Sequence, residues 1–304
     1  MVQYARLEDK EEIRKLWNES FYNDNIEFDS YYFNNLFDPM NNFIIKEGNR
    51  IVSVGAKKKH VYMLHNRPVV ASMIFGIATK YGSNNKGYMN NIVTTMLDHL
   101  QHQELFTLIQ SYKVNAYEKY GFKPVYNRVK YFINNSNFSF SDISYCKSGV
   151  SAKDMLFLYA TCMKRFNGYL IRDIEYFNNF IEQVKCIKGN IVGVYNKTGN
   201  IVGYATFIKR DNHIIIDEAL YLSTNALFKI LALALKLKDE VQLHLTVYEN
   251  LDKYFVNCKK EVYQSTYVRI NDFKLFNELF KTNVDNVQDA FNINKKPLFL
   301  NESI

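Results

Sequence analysis

The 304-residue sequence has little cysteine, proline and glycine, and these shortages exclude several classes of protein. Its 4 cysteines, at positions 146, 162, 186 and 258, include no CxxC pair, so we expect reduced structural thiols, as in a cytosolic protein. With only 4 prolines and 12 glycines, collagen-like and linker-dominated chains are excluded. The most apolar helical run, Leu227 to Leu237, is much shorter than the roughly 20 residues that span a bilayer.

The charge pattern offers no nucleic-acid or membrane partner. The net charge is +7, but 31 acidic residues are interleaved with 38 basic ones. The densest basic run, Lys57 to Lys59, has the alternation of a solvated strand edge, and neither a basic arm nor an RNA-binding signature accompanies it. The N-terminal residues are charged where a signal peptide is apolar. We therefore predict a cytoplasmic protein whose mildly basic surface can attract a phosphorylated cofactor.

The length and the order of the predicted elements indicate two domains of an α+β class. A chain of 304 residues exceeds the usual size of a single core. Its first part is predicted as strand, helix, two long antiparallel strands, polar loop, helix and strand. A Gly-Asn turn followed by a hairpin pattern occurs at residues 48–63 and again at 199–216. We predict boundaries at 1–135, 136–262 and 263–304, the last being a short α+β segment.

A polar loop before the second helix is the first candidate for chemistry. Asn84, Asn85, Lys86 and Gly87 lie between a long strand and the helix that starts near Tyr88. Backbone N–H groups at a helix N-terminus bind anions such as pyrophosphate. The loop has neither the P-loop spacing nor GxGxxG, so taken alone it is better explained as an ordinary helix start.

Further motifs give the loop a context. The strand, the loop, the helix, the next strand and the motif AYEKYGF at residues 116–122 together resemble the GNAT acetyltransferase superfamily. The segments RFNGYLIRD at 165–173, EALY at 218–221 and YVRIND at 267–272 resemble the Eis-type (enhanced intracellular survival) branch. The resemblance implies two tandem GNAT folds, with mixed, mostly antiparallel sheets flanked by helices, and a shortened sterol-carrier-like C-terminal segment.

That resemblance also implies a cofactor site and a catalytic acid. Acetyl-CoA would bind along the strand and the loop, at residues Ile77, Ala78, Thr79, Asn84, Asn85, Lys86, Gly87, Tyr88, Met89, Asn90 and Ser111. Tyr117 would protonate the leaving thiolate, with Tyr120 as its rival, and a strand amide of Ile77 or Thr79 would stabilise the oxyanion. Asn84 and Met89 depart from the family, which has a basic and a small residue there. The second copy lacks such a loop, so we expect no acetyl-CoA there.

The base and the acceptor are less determined by the sequence. The resemblance implies that the terminal carboxylate, here of Ile304, enters the active site as the base, although the family ends in an aromatic residue; Glu302 or solvent are alternatives. Asp24 and Glu27 lie in an aromatic stretch that either lines an amine pocket or forms an ordinary surface helix. Aminoglycosides, polyamines or lysine side chains are candidate acceptors, and a homo-oligomer is expected.

The sequence also allows two other interpretations, a metal site and a protein without catalysis. His99 and His102 have the spacing of a metal pair, but the sequence supplies no third ligand, so no metal is predicted. The other alternative is a degenerate GNAT-fold protein that binds CoA or a partner without catalysis.

Overall fold

A computed structural model describes residues 1–21, 26–83, 85–110 and 115–302, with residues 26–28 and 115 described by their backbone only. Contacts divide the chain into two compact units. Unit 1 comprises Met1–Val125 and Thr266–Lys295, together with Glu302. Unit 2 comprises Tyr126–Ser265 and Lys296–Asn301. Within the described residues, no helix is both long and apolar enough to cross a membrane.

Both units are mixtures of strands and helices, which confirms the predicted α+β class. The strands are β1 (Val2–Tyr4), β2 (Asn42–Glu47), β3 (Arg50–Leu64), β4 (Arg67–Thr79), β5 (Phe106–Ile109), β6 (Lys123–Asn134), β7 (Cys146–Ser148), β8 (Tyr169–Leu170), β9 (Asn190–Tyr195), β10 (Ile201–Lys209), β11 (His213–Ile216), β12 (Ala219–Tyr221), β13 (Glu240–Thr246) and β14 (Lys259–Ile270). The helices are α1 (Lys10–Ser20), α2 (Ile26–Tyr31), α3 (Tyr88–Gln101), α4 (Asn115–Glu118), α5 (Ala152–Met163), α6 (Ile174–Cys186), α7 (Thr224–Leu237), α8 (Phe273–Phe280) and α9 (Val287–Asn292).

The sheet of unit 1 has a core on each face. Its strand order is β1-β2-β3-β4-β5-β14, and all neighbours are antiparallel except the parallel pair β4 and β5. Alternate residues of β2 serve the two cores: Ile44 packs with Ile13 and Trp17 of α1, while Phe43 packs with Ile92 of α3. The apolar spacing along α1 and α3 produces these contacts, since residues three or four apart share one helix face.

Unit 2 repeats this order of elements. Its sheet has the order β6-β13-β11-β10-β9-β7, with β12 paired to β10. The parallel pair is β11 with β13, and α7 connects the two as α3 connects β4 with β5. The two Gly-Asn turns join β2 to β3 and β9 to β10. The predicted hairpin after the turn is present within 199–216, as β10 with β11, whereas residues 50–63 belong to the single strand β3.

The last strand of each sheet comes from a distant part of the chain. In unit 1, β5 pairs with the end of β14, from Ile109 with Tyr267 to Phe106 with Ile270. In unit 2, β13 pairs with β6. The unit boundaries therefore fall at 125/126 and 265/266, and residues 263–304 divide between the units. These limits differ from the predicted 1–135, 136–262 and 263–304 because pairing, not sequence order, decides where a strand belongs; a sterol-carrier-like origin of the last segment stays a prediction.

Candidate functional site

The strongest feature of unit 1 is the separation of β4 from β5. Among the described residues their pairing runs from Ala71 with Phe106 to Ile74 with Ile109, whereas β4 continues to Thr79. The separation coincides with a bulge, since Val54 of β3 faces Ala78 and Ala56 faces Phe75. Gly76 within the bulge has φ +59°. Within the described part of the chain, the edge of β4 after Ile74 therefore has no partner in β5, and an unpaired strand edge can bond an extended ligand.

Gly76 is also required by its neighbour. A β-carbon at this position would lie 2.0 Å from Cζ2 of Trp17, the single tryptophan of the chain. Trp17 is buried, stacked on Tyr32 with ring centroids 4.9 Å apart and packed edge-on against Phe75. The close packing of the indole ring under the bulge leaves no space for a side chain at residue 76.

The loop after β4 ends at an open helix N-terminus. Gly82, Asn85 and Gly87 have positive φ values of 84°, 67° and 78°. Gly87 is the N-cap residue of the 14-residue helix α3 and has no side chain to cap it. A β-carbon at Gly82 or Gly87 would have no atom within 4 Å. Uncapped N–H groups beside open space form an arrangement that can bind a phosphate group.

The cation of this loop is bound to an acidic residue of β2. Lys86 Nζ lies 3.0 Å from Glu47 Oε1, and the Tyr88 hydroxyl donates to the same oxygen. The hydrogen bond from Tyr88 and then that from Lys86 hold the pKa of the Glu47 carboxyl below its usual range. All three groups are accessible to solvent, so the pair is weak and an incoming anion can exchange with Glu47.

The two tyrosines of the AYEKYGF motif have different surroundings. Tyr117 is 9% exposed and packs among Ile92, Met96 and Phe122 in the core under α3. Tyr120 is half-buried, and its hydroxyl donates to Asn90 Oδ1 over 3.0 Å. Both belong to the α3 core cluster that also includes Ile74 and Ile77 of β4, and the role of Tyr117 stays a prediction.

Of the other predicted cofactor residues, Ile77, Ala78 and Thr79 belong to β4 and Met89 belongs to α3. Ile77 and Met89 pack partly buried against the α3 core, while Ala78 is buried on the α1 side. Thr79 Oγ1 lies 3.0 Å from the Ser53 hydroxyl, which also donates to the Ala78 carbonyl. Asn84 and Ser111 lie outside the described residues.

Most of the predicted acceptor and base residues fall outside the described part of the chain. These are Asp24, Ile304 and the side chain of Glu27. Glu302 is buried, at 5% exposure, and its charge acts on Lys58 of β3. Burial lowers the pKa of Lys58, and Glu302 opposes that shift. No cluster of three or more histidine, cysteine or acidic side chains suited to a metal ion occurs within the described ranges.

Sequence reasoning missed three residues of this site: Gly76, Glu47 and Lys58. An isolated glycine within a β-branched strand pattern is a bulge signal, so Gly76 was open to prediction. Glu47 and Lys58 give no such signal, because their partners, Lys86 and Tyr88 for Glu47 and Glu302 for Lys58, are distant in the sequence.

The comparisons with known proteins agree with this geometry. Residues 1–125 match the family of the acetyltransferase (GNAT) domain. A protein from Enterococcus faecalis V583 described as a probable N-acyltransferase is similar in structure, with a TM-score of 0.76, 15% identity, and coverage of 91% of this chain and 74% of that one. Among curated proteins, no sequence matches this chain significantly.

Two further structures give the same result. A GCN5-related N-acetyltransferase from Anabaena variabilis has a TM-score of 0.73 at 13% identity, covering 90% of this chain and 73% of its own. Eis1 from Mycobacterium abscessus has a TM-score of 0.68 at 12% identity, covering 91% and 75%. The GNAT fold is thereby confirmed, and the similarity extends over both units.

Proposed function

We propose that the protein is an N-acyltransferase of the Eis type that transfers an acetyl group from acetyl-CoA to a primary amine in unit 1. The observation that carries the proposal is the edge of β4 after Ile74, which pairs with no described residue of β5, followed along the chain by the uncapped N-terminus of α3 at Gly87. A strand edge binds amide groups, and a helix N-terminus binds phosphate. Coenzyme A contains both groups in one molecule, a pantetheine arm and a pyrophosphate.

The chemistry assigns distinct tasks to this chain's residues. Acetyl-CoA would supply an activated acyl thioester. N–H groups at the β4 edge, at Ile77 or Thr79, would stabilise the negative charge that develops on the acyl oxygen. A phenol with a pKa near ~10 is matched to a thiolate whose thiol has a pKa near ~8.5, and we assign this proton donation to Tyr117.

The amine must lose a proton before it attacks, because an alkylammonium has a pKa near ~10. Among the residues that the structure describes, Glu302 is the candidate for the general base, since it is buried and its charge acts on Lys58. The carboxylate of Ile304 remains the candidate that the Eis resemblance favours. Aminoglycosides, polyamines and lysine-like amines remain the proposed acceptors, and a homo-oligomer the proposed assembly.

The proposal is tested by calorimetry with acetyl-CoA followed by thiol release from acetyl-CoA with a panel of amines. Binding with turnover of at least one amine is expected. If acetyl-CoA does not bind, the assignment of unit 1 as a cofactor site is wrong.

A non-catalytic CoA-binding protein is the second candidate. The observation that favours it is the burial of Tyr117 in the α3 core, which limits the access of its hydroxyl to a ligand. Binding of acetyl-CoA without turnover of any amine would support this candidate instead.

A further inference from the structure

Unit 2 contains a segment of its own chain, Pro297–Asn301, bound as an extended peptide. The Asn167 amide donates to the Pro297 carbonyl over 2.8 Å, and the Phe299 amide donates to the Asn167 carbonyl over 3.1 Å. Leu298, Phe299 and Leu300 are all buried. The segment is thus held by main-chain bonds on one side and by apolar burial along its length.

A buried ion pair holds the end of this segment. Arg172 Nη2 donates to the Asn301 carbonyl over 3.2 Å. The same guanidinium makes two bonds to Glu218, of 2.9 and 2.8 Å, and Glu218 also accepts from the Tyr204 hydroxyl over 2.6 Å. The Arg172 and Glu218 side chains are only 1% and 5% exposed. Burying an ion pair away from water is costly unless further hydrogen bonds offset that cost. The hydrogen bond from Arg172 to the Asn301 carbonyl is one of them.

The segment lies at the position in unit 2 that is equivalent to the separation of β4 from β5 in unit 1. The parallel pairing of β11 with β13 ends at Ile216 with Leu243, and β12 then pairs with β10 from Ala219 onward. Glu218 lies at this interruption, as Gly76 lies at the interruption in β4. Phe299 and Asn301 line the cavity that remains there, whose volume of about 10 Å³ is enough for one water molecule.

The N-terminus of the helix after this interruption, α7, is also capped. Ser223 caps α7, its hydroxyl accepting from the Ala226 amide, whereas Gly87 leaves α3 uncapped. Both features that would bind coenzyme A in unit 1 are therefore occupied by protein atoms in unit 2.

We propose that unit 2 binds the segment Pro297–Asn301 as an internal ligand in the counterpart of the acyl opening, with Arg172 as the residue that positions its end. Unit 2 is a peptide-anchoring module. The self-binding stands independently, whereas the acetyl-CoA readout below rests on the proposed function.

Hydrogen exchange of the full chain tests the self-binding. In the wild type, the amides of residues 298–301 are expected to exchange at least tenfold more slowly than in an unstructured peptide. Phe299→Ala removes the buried ring, and the double variant R172M/E218Q removes the bond to Asn301 without leaving a buried carboxylate unpaired. Each should accelerate exchange at these amides tenfold or more. Lys229→Met, which removes another buried cation of unit 2 with no bond to the segment, should not.

Fast exchange at residues 298–301 in the wild type overturns the proposal, as does unchanged exchange in folded variants. Calorimetry with acetyl-CoA supplies the second readout. One molecule per chain is expected for the wild type and for Phe299→Ala, and two per chain would overturn the proposal. If no acetyl-CoA binds, the proposed function fails while the exchange result still decides the self-binding.

Discussion

At the scale of single residues, the bulge in β4 depends on two unrelated requirements at Gly76. Its φ of +59° is in the left-handed region, which other residues adopt at a cost of roughly 1–2 kcal/mol. Its missing side chain leaves space for the Trp17 ring. Conformation and packing thus both require glycine at the point where β4 leaves β5.

Gly76→Ala should therefore lower the free energy of unfolding by roughly 2–5 kcal/mol, the sum of backbone strain and overpacking against Trp17. Gly48→Ala is the matched control, because Gly48 has the same φ of +59° and a β-carbon added there would have no atom within 4 Å. It should lose only the backbone part, about 1–2 kcal/mol. Urea unfolding measures both, and equal losses would contradict the packing argument.

Tyr117→Phe tests the assignment of the general acid. Loss of the hydroxyl should leave acetyl-CoA affinity nearly unchanged and lower kcat by roughly 10²-fold. Tyr120→Phe, which breaks the bond to Asn90, is the control and should retain most of the activity. Steady-state kinetics with the best amine of the panel separates the two, and an unchanged kcat for Tyr117→Phe excludes the assignment.

His244 of unit 2 predicts a pH dependence of stability. Burial lowers its pKa well below the usual range, although the nearby Asp217 carboxylate opposes the shift. Arg128, Lys130, Glu261 and the Tyr263 hydroxyl also face the ring. The unfolded chain therefore binds a proton near pH 6.5 that the folded chain does not, and stability present above that pH is lost as the pH falls.

Between pH 7 and 5.5 the His244 contribution should amount to about 1 kcal/mol. Urea unfolding at these two pH values measures the loss. Between pH 7 and 5.5, the free energy of unfolding of His244→Gln should fall by about 1 kcal/mol less than that of the wild type. A variant with the same pH dependence as the wild type would show that His244 protonates equally in both states.

At the scale of elements, α3 and α7 occupy equivalent positions but begin differently. Each lies in the chain between the two parallel strands of its sheet, yet the N-cap residue of α3 is a glycine with positive φ and that of α7 is a serine that caps the first turn. A serine cap satisfies an N–H group that an anion would otherwise bind. The identity of the N-cap residue thus distinguishes α3, whose first N–H groups can bind phosphate, from α7, whose first turn is capped by a serine.

Gly87→Glu should weaken acetyl-CoA binding at least a hundredfold, since a carboxylate would lie where the N–H groups face the phosphate. Gly199→Glu is the matched control in unit 2, because Gly199 has a φ of +82° and equally open surroundings. It should bind acetyl-CoA as the wild type does. Calorimetry of both variants is the measurement, and wild-type affinity in Gly87→Glu would place the anion site elsewhere.

At the scale of the whole molecule, the sequence predicts the elements better than their partners. The periodicity of α1, α3 and α7, the hairpin turns and the α+β class could all be predicted, because each depends on residues close in the chain. The pairing of β5 with Tyr267–Ile270 could not, since the two segments are far apart in the sequence and no local pattern links them. For the same reason Glu47 and Lys58 were missed at the site, whereas the loop at Gly87 was found from its local signal.

Because β14 completes the sheet of unit 1, residues 1–125 are an incomplete unit, although they match the family of the acetyltransferase (GNAT) domain. Phe106 and Leu108 of β5 are fully buried in the chain, and the Phe106 ring packs edge-on against Phe291, centroids 5.4 Å apart. Without β14 and α9, both β5 side chains and the β5 edge meet water. Burial of one such side chain contributes about 1.5–3 kcal/mol, so losing both together with the strand pairing removes a large part of the stability of a small domain.

A fragment of residues 1–125 should therefore show no cooperative unfolding in urea. The same fragment joined through a Gly/Ser linker of about 15 residues to residues 266–295 should regain a cooperative transition, because it restores the antiparallel pairing from Phe106 with Ile270 to Ile109 with Tyr267. Replacing Val268, which is fully buried, by Asp in the linked form is the control and should abolish that transition. A cooperative transition in the 1–125 fragment alone would mean that β14 is a dispensable addition to unit 1, and the boundary at residue 125 would then be a true domain end.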